Sequence, residues 1–227
     1  MLVENWMNPK VITVDINDSM LDASKLLKEH GIRGLPVLKD GQLVGIVTDR
    51  DLKRASPSDA TSLAAHELLY IIANMKVGEI MTRDPVTVPF NYTVEEAAEI
   101  LLEKKISGLP VVNKDGKVVG TITQTDIFKV LISVTGVGKR GVQFAFLLED
   151  RPGSIREVAD IIRKYGGRMT SILSSYEGAP SGHRHAYIRA RNVDREKLPQ
   201  LKKELMAATK LLYFIDHKEN KREIFVS

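Results

Sequence analysis

The sequence contains two related seven-residue segments, Gly-Ile-Val-Thr-Asp-Arg-Asp at Gly45–Asp51 and Gly-Thr-Ile-Thr-Gln-Thr-Asp at Gly120–Asp126. In each, β-branched residues lead to a threonine, and an aspartate follows three positions later. β-branched residues favour strands, and threonine is favoured at the N-cap position before a helix. The pattern predicts a strand that passes into a helix beginning at Asp51 or Asp126, with both polar side chains at the junction.

These segments belong to a longer internal repeat. Met7–Leu38 aligns with Met81–Val112 at a constant offset of 74, and after one inserted residue near Asn113 the match resumes from Asp40 against Asp115. Of 47 aligned positions, 18 are identical, which is more than unrelated segments would share by chance. An internal repeat indicates a duplicated structural unit, so the chain holds two copies of one module.

Each copy has the same predicted order of elements, with an Asp-Gly hairpin turn at Asp40-Gly41 or Asp115-Gly116. The predicted caps of the first helices are Ser19 in one copy and the capping box of Thr93 and Glu96 in the other. A further helix is predicted between the copies at 60–74, capped by 56–59. The predicted strands are 11–14, 35–38 and 43–48 in the first copy and 86–88, 109–112 and 118–123 in the second, and the predicted first helices are 20–30 and 94–104.

The Thr-x-x-Asp segments, together with Gly-Leu-Pro-Val at Gly34–Val37 and Gly108–Val111, resemble the CBS domain. Two such domains in tandem resemble a CBS pair, or Bateman module. The resemblance implies a regulatory homodimer, controlled allosterically by an adenine nucleotide bound in the pair, with an unknown regulated protein as its partner. The residues at the matching ligand positions are Thr13, Arg33, Thr48, Arg50, Asp51, Thr87, Ser107, Thr123 and Asp126.

The chemistry of the two junctions is consistent with a nucleotide. The carboxylate of Asp51 or Asp126 can accept hydrogen bonds from both ribose hydroxyls, while backbone amides at a helix N-terminus favour phosphate. A plain N-cap is the alternative interpretation of Thr-x-x-Asp. AMP, ADP, ATP and S-adenosylmethionine all present adenosine, so the sequence does not distinguish between these ligands, and it predicts no required cofactor.

The two copies differ beside the shared threonine and aspartate. Arg33 and Arg50 in the first copy correspond to Ser107 and Thr125 in the second. A guanidinium offers a planar fork of donors to phosphate, so the first copy is the better candidate for a charged nucleotide. Thr13 and Thr87 are expected at the ends of the first strands, where ordinary strand threonines are the alternative.

The pattern changes after a glycine-rich joint at 136–141. The predicted order is strand, helix, strand, strand, helix and strand, which is ferredoxin-like. The predicted bounds are 142–148, 155–165, 168–175, 185–191, 193–208 and 211–216.

Asp-Arg-Pro-Gly, which begins at Asp150 in the turn after the first of these strands, resembles the ACT domain. In that family the turn and the following helix start contact a small effector, commonly an amino acid, and the matching positions are Asp150, Gly153 and Ser154. A well-formed turn without a ligand is the alternative. The whole chain resembles the AcuB-type acetoin-utilization proteins.

The predicted fold class is therefore α/β (α+β), two CBS repeats followed by a ferredoxin-like ACT domain. The predicted domains are 1–55 and 77–135 for the CBS repeats, 56–76 for the helix between them, 136–141 for the linker, 142–217 for the ACT domain and 218–227 for a tail.

Composition narrows the function class. The chain of 227 residues has no cysteine, which excludes thiolate catalysis and cysteine metal sites, and no third ligand accompanies His183 and His185. No nucleophile–base constellation or phosphate-binding loop is found, so we predict no enzyme. The start of the chain and the absence of a long apolar run predict a cytoplasmic protein without a membrane span.

The net charge is +4, and the basic excess lies after residue 135. A transcriptional regulator that binds DNA or protein through that half is the alternative, although the scattered basic residues argue against nucleic acid.

Overall fold

The computed structural model describes residues 1–56, 70 and 72–225. It divides into two compact units, Met1–Phe128 and Lys129–Ser227. Most of the helix predicted at 60–74 lies outside the described residues, although 72–74 are helical. Within the described ranges, no helix combines the length and apolar character that crossing a membrane requires.

The first unit contains two small sheets, each built mainly from one repeat. The first sheet has the order β1-β2-β3-β4 and the second the order β5-β6-β7; β1 and β5 are parallel to their neighbours, and the other pairs are antiparallel. The elements are β1 (Val14–Asp15), α1 (Met20–His30), β2 (Gly34–Lys39), β3 (Gln42–Thr48), α2 (Asp49–Ala55), α3 (Val77–Ile80), β4 (Thr82–Arg83), β5 (Val88–Pro89), α4 (Val94–Glu103), β6 (Gly108–Val112), β7 (Val118–Thr123) and α5 (Gln124–Thr135). The residues of α5 from Lys129 onward belong to the second unit.

The two copies exchange their first segments. Strand β4, at the start of the second copy, pairs with β3 of the first. Reciprocally, Asn8 and Thr121 exchange backbone hydrogen bonds of 2.8 and 3.0 Å, and the Val3 amide donates to the Tyr92 carbonyl at 2.8 Å. Each sheet is therefore completed by the other copy.

The first glycine of each seven-residue segment makes room for this exchange. A Cβ on Gly45 would overlap the Met81 sulfur and lie 2.9 Å from the Thr82 carbonyl oxygen. A Cβ on Gly120 would overlap the Met7 sulfur and lie 3.2 Å from the Asn8 carbonyl oxygen. Packing between the copies thus accounts for both glycines.

Several local predictions are confirmed and others are wrong by a few residues. Helix α1 has the predicted bounds, and Thr93 forms the predicted capping box with Glu96. Helices α2 and α5 begin two residues before Asp51 and Asp126, because the threonine itself is the last residue before the helix. Strands β1 and β5 are shorter and later than predicted, so Thr13 and Thr87 precede them and do not end them.

The two predicted hairpin turns differ. Asp40 and Gly41 both have positive φ, 51° and 77°, as a tight turn with an Asp-Gly pair requires. In the second copy, only Gly116 of the predicted pair has a positive φ. The inserted residue lengthens that loop, and the Asn113 side chain accepts hydrogen bonds from the amides of Asp115 and Lys117.

The second unit has the predicted βαββαβ order, with an additional C-terminal strand. Its antiparallel sheet has the order β12-β11-β8-β10-β9, and one face packs against two helices around a core that includes Phe144, Phe146 and Phe214. The elements are β8 (Val142–Glu149), α6 (Ser154–Lys164), β9 (Arg168–Ser175), β10 (His183–Arg191), α7 (Leu198–Ala208), β11 (Lys210–Asp216) and β12 (Lys221–Ile224).

Two features of this unit differ from the sequence prediction. Helix α7 begins at Leu198 and not at residue 193, because Asn192 has a positive φ of 59° and Pro199 occupies the first turn. The predicted tail contains β12, whose mostly charged sequence gives no apolar alternation, and which pairs with β11.

Candidate functional site

The junction of β3 and α2 joins Thr48 and Asp51 in a reciprocal capping box. The Thr48 amide and hydroxyl donate to Asp51 Oδ2 at 3.0 and 2.6 Å, and the Asp51 amide donates to Thr48 Oγ1 at 3.3 Å. The other carboxylate oxygen, Oδ1, accepts from Arg54 Nη2 at 3.0 Å. Asp51 is 7% exposed, so this carboxylate is held in one orientation at the edge of the core.

The junction of β7 and α5 repeats this geometry. The Thr123 amide and hydroxyl donate to Asp126 Oδ2 at 3.0 and 2.7 Å, and the Asp126 amide donates to Thr123 Oγ1 at 3.4 Å. Both pairs are therefore helix caps, as the alternative interpretation of the sequence expects. A carboxylate offers about four lone-pair sites, of which each cap uses two, and Arg54 uses one more on Asp51.

The chain brings Arg33 and Ser107 to corresponding places beside these caps. The Arg33 carbonyl accepts from the Asp49 amide at 3.1 Å, and the Ser107 carbonyl accepts from the Gln124 amide at 3.0 Å. Arg33 and Arg50 are exposed, and neither forms a side-chain ion pair within residues 1–56, 70 and 72–225. The first junction thus carries two guanidiniums, where the second carries Ser107 and Thr125.

Thr13 and Thr87 lie farther from the caps along the sheets. Each immediately precedes a first strand, and β2 or β6 lies between that strand and the one that ends at the cap. Both residues are half-buried. In the described part of the chain, neither side chain hydrogen-bonds to Thr48, Asp51, Thr123 or Asp126, so the caps and these two threonines form separate parts of the predicted site.

A cavity of about 370 Å³ lies between α1 and α2. Its lining includes Leu27, Asp49 and Leu52, and none of the nine predicted ligand residues. Ile72 also lines it and follows directly on residues outside the described ranges. The cavity therefore adjoins the start of α2 without including any of the predicted ligand residues.

The turn between β8 and α6 has its polar side chains engaged with one another. The buried Ser154 hydroxyl accepts from Arg184 Nη2 at 3.2 Å, Arg184 Nε lies 3.7 Å from Asp150 Oδ1, and the Tyr176 hydroxyl donates to the same oxygen at 3.3 Å. Gly153 has a φ of 90°. Sequence reasoning missed Arg184, because nothing in β10 marks that arginine as the one that reaches this turn.

Next to this turn, Arg151 forms paired hydrogen bonds of 2.7 and 2.8 Å to Glu157. Hydrogen bonding to Arg151 is the main cause that lowers the pKa of Glu157. The Arg151 guanidinium is therefore committed to a neighbouring carboxylate.

Two strand-to-helix junctions with one geometry therefore lie in two repeats that exchange their first segments. The family model for the CBS domain matches residues 3–58 and 77–133. A CBS domain-containing protein from Dictyostelium discoideum is 35% identical over 134 residues, which cover 59% of this chain and 92% of that protein. The chain belongs to the CBS family.

Solved structures of two proteins extend the likeness. A protein from Vibrio cholerae assigned to acetoin utilization, AcuB, is 28% identical over 61% of this chain and 96% of its own, with a TM-score of 0.51. The CBS-pair protein CBSX2 from Arabidopsis thaliana is 32% identical over 61% of this chain and 96% of its own, with a TM-score of 0.50. CBSX2 has also been crystallised in complex with AMP, with a TM-score of 0.48 to this chain.

Enzymes are also among the proteins that this part of the chain resembles. An inosine-5'-monophosphate dehydrogenase from Korarchaeum cryptofilum is 39% identical over 125 residues, which cover 55% of this chain but 23% of the enzyme. The likeness therefore leaves most of that enzyme unmatched.

Proposed function

We propose that this chain is a regulatory sensor that binds an adenine nucleotide or another adenosyl ligand in its CBS pair, with no chemistry of its own. The observation that carries the proposal is the duplicated Thr-x-x-Asp junction, with nearly the same hydrogen bonds at Thr48–Asp51 and Thr123–Asp126. Membership of the CBS family and the AMP bound by CBSX2, which is 32% identical to this chain, support an adenosyl ligand.

The proposed binding mode uses groups already oriented by the caps. Asp51 and Asp126 accept hydrogen bonds from ribose hydroxyls, and the amides at the starts of α2 and α5 favour the phosphate. In the first copy, Arg33 and Arg50 add positive charge that the second copy lacks. The first site therefore prefers a phosphorylated ligand, and the second discriminates less between a nucleotide and an uncharged adenosine.

Native mass spectrometry of the purified full chain, combined with thermal unfolding, tests this proposal. We expect AMP, ADP, ATP or S-adenosylmethionine to be retained, and at least one of them to raise the melting temperature because it binds the folded state. GMP serves as the control for a base other than adenine. An adenosyl series that leaves the melting temperature unchanged, or a shift that GMP reproduces, would contradict the proposal.

For the second unit we propose an ACT domain at 142–217, with Asp150, Gly153 and Ser154 near a small effector such as an amino acid. The ferredoxin-like order and the Asp-Arg-Pro-Gly turn support it. Calorimetric titration of the full chain with each of the common amino acids tests effector binding. If none of them binds, the turn is a structural feature without an effector.

We also propose a cytoplasmic homodimer that acts in acetoin utilization. The likeness to the Vibrio cholerae protein supports the pathway, and two exposed apolar side chains, Leu102 on α4 and Phe128 on α5, 73% and 61% exposed, support association through helices. Light scattering distinguishes a dimer from a monomer. Growth of a deletion strain on acetoin tests the pathway, which an unimpaired strain would exclude.

A further inference from the structure

A buried arginine without a countercharge lies on the sheet face of the second unit that the two core helices leave uncovered. Arg189, in β10, is 6% exposed. Its Nη2 donates to Gln143 Oε1 at 2.7 Å, whereas its Nη1 is buried without a hydrogen-bond partner. In the part of the chain that the structure describes, the Arg189 guanidinium forms no ion pair.

The ionisable groups around Arg189 supply no negative charge. Burial is the main cause that raises the pKa of Tyr213, whose hydroxyl accepts a hydrogen bond from Gln143. Burial, followed by the charges of Arg189 and Arg222, lowers the pKa of His217. Desolvation likewise lowers the pKa of Arg189. A buried charge normally has a partner of opposite sign, and the described residues provide none here.

Arg189 lines a cavity of about 260 Å³ within the same unit. One wall is apolar and comes from Leu131, Ile132 and Leu173, while Ser171 adds a hydroxyl. The Ser171 hydroxyl donates to the Thr135 carbonyl at 3.0 Å, which attaches the last turn of α5 to β9. The cavity is slightly smaller than the 300–1,000 Å³ usual for drug-sized ligands, so its size favours a small molecule.

We propose that this cavity binds a small organic anion, with its carboxylate paired to Arg189 and a short branched aliphatic body against Leu131, Ile132 and Leu173. The guanidinium offers a carboxylate two parallel donors. None of the residues that line the cavity is acidic, so an α-ammonium group finds no counterion. The site therefore prefers a simple carboxylic or 2-oxo acid to the corresponding amino acid, and it is separate from the turn at Asp150 and Ser154.

Calorimetric titration of the full chain with four probes tests this assignment. Isovalerate carries both the charge and the branched body, acetate lacks the body, isopentanol lacks the charge and leucine adds the ammonium. We expect isovalerate to bind at least about tenfold more tightly than each of the other three, because only isovalerate satisfies the guanidinium and the apolar wall together. No saturable binding of isovalerate, or equal binding of isopentanol, would overturn the proposal.

Two variants and a matched control complete the experiment. Arg189→Met keeps most of the side-chain volume without the charge, and should weaken isovalerate binding by at least about tenfold. Arg191→Met removes an exposed charge two residues along the same strand, and should leave binding within about twofold. If Arg189→Met fails to fold, Ile132→Trp provides the test, because it fills the cavity from a half-exposed helix position. Unchanged isovalerate binding in a folded Arg189→Met or Ile132→Trp variant would place the ligand elsewhere.

Discussion

The caps of the two CBS copies agree within 0.1 Å in each of their three hydrogen bonds, yet their surroundings differ. The first cap lies beside Arg33 and Arg50, and the second beside Ser107 and Thr125. The shared geometry meets a local requirement, since both helices need their first amides satisfied. For the proposed nucleotide, a preference between the two junctions must therefore come from the side chains that differ, so the junctions offer an internal comparison within one chain.

The largest effect is expected at the glycine that the two copies share at corresponding positions. Gly45→Ala and Gly120→Ala should each destabilise the first unit by about 1–3 kcal/mol, because the added methyl group overlaps Met81 or Met7 in the exchanged segment. Chemical denaturation measures the loss. Gly138→Ala is the control, since its new methyl group meets nothing within 4 Å.

Equal losses in the two glycine variants would support the symmetric exchange of segments between the copies. A loss in one variant alone would show that the two copies pack differently. If neither variant is destabilised, the close approach of the methionines does not occur.

A smaller effect is expected when a residue that differs between the copies is replaced by its counterpart from the other copy. Arg50→Thr should weaken AMP binding by about tenfold through the loss of a charge-assisted hydrogen bond, and should leave adenosine binding nearly unchanged. Thr125→Arg makes the reverse exchange and should strengthen AMP binding at the second site. Calorimetry with AMP and with adenosine measures both changes.

Parallel losses of AMP and adenosine affinity in Arg50→Thr would show that Arg50 does not contact phosphate. An unchanged AMP affinity in the Thr125→Arg variant would show that an arginine at this one position does not decide the preference for a phosphorylated ligand.

The sequence predicts features that neighbouring or repeated residues encode. The capping box of Thr93 and Glu96 lies within four consecutive residues, and the alignment of the copies places Asp51 and Asp126 at equivalent points. The ferredoxin-like order also follows from successive apolar patterns. These predictions succeed because the information is local.

Other features depend on contacts between residues far apart in the chain. Neither Met7 nor Met81 indicates that it packs against the glycine of the other copy. Arg189 is one of several basic residues in β10, and nothing in that strand indicates that it is buried beside the end of α5. The charged sequence of β12 does not indicate a strand, although this segment pairs with β11. Tertiary pairing decides each of these cases.

Titration calorimetry of the full chain with AMP, ADP, ATP and S-adenosylmethionine tests the central claim most directly, using the double variant Asp51→Asn/Asp126→Asn. Each substitution keeps the side-chain shape. It removes the negative charge of the carboxylate that is proposed to accept hydrogen bonds from the ribose hydroxyls. Asp49→Asn, on the same helix as Asp51, is the matched control. We predict saturable binding of at least one ligand, affinity reduced at least about tenfold in the double variant, and no change in the control. A double variant that binds as tightly as the original chain would contradict the assignment of the nucleotide to these two junctions.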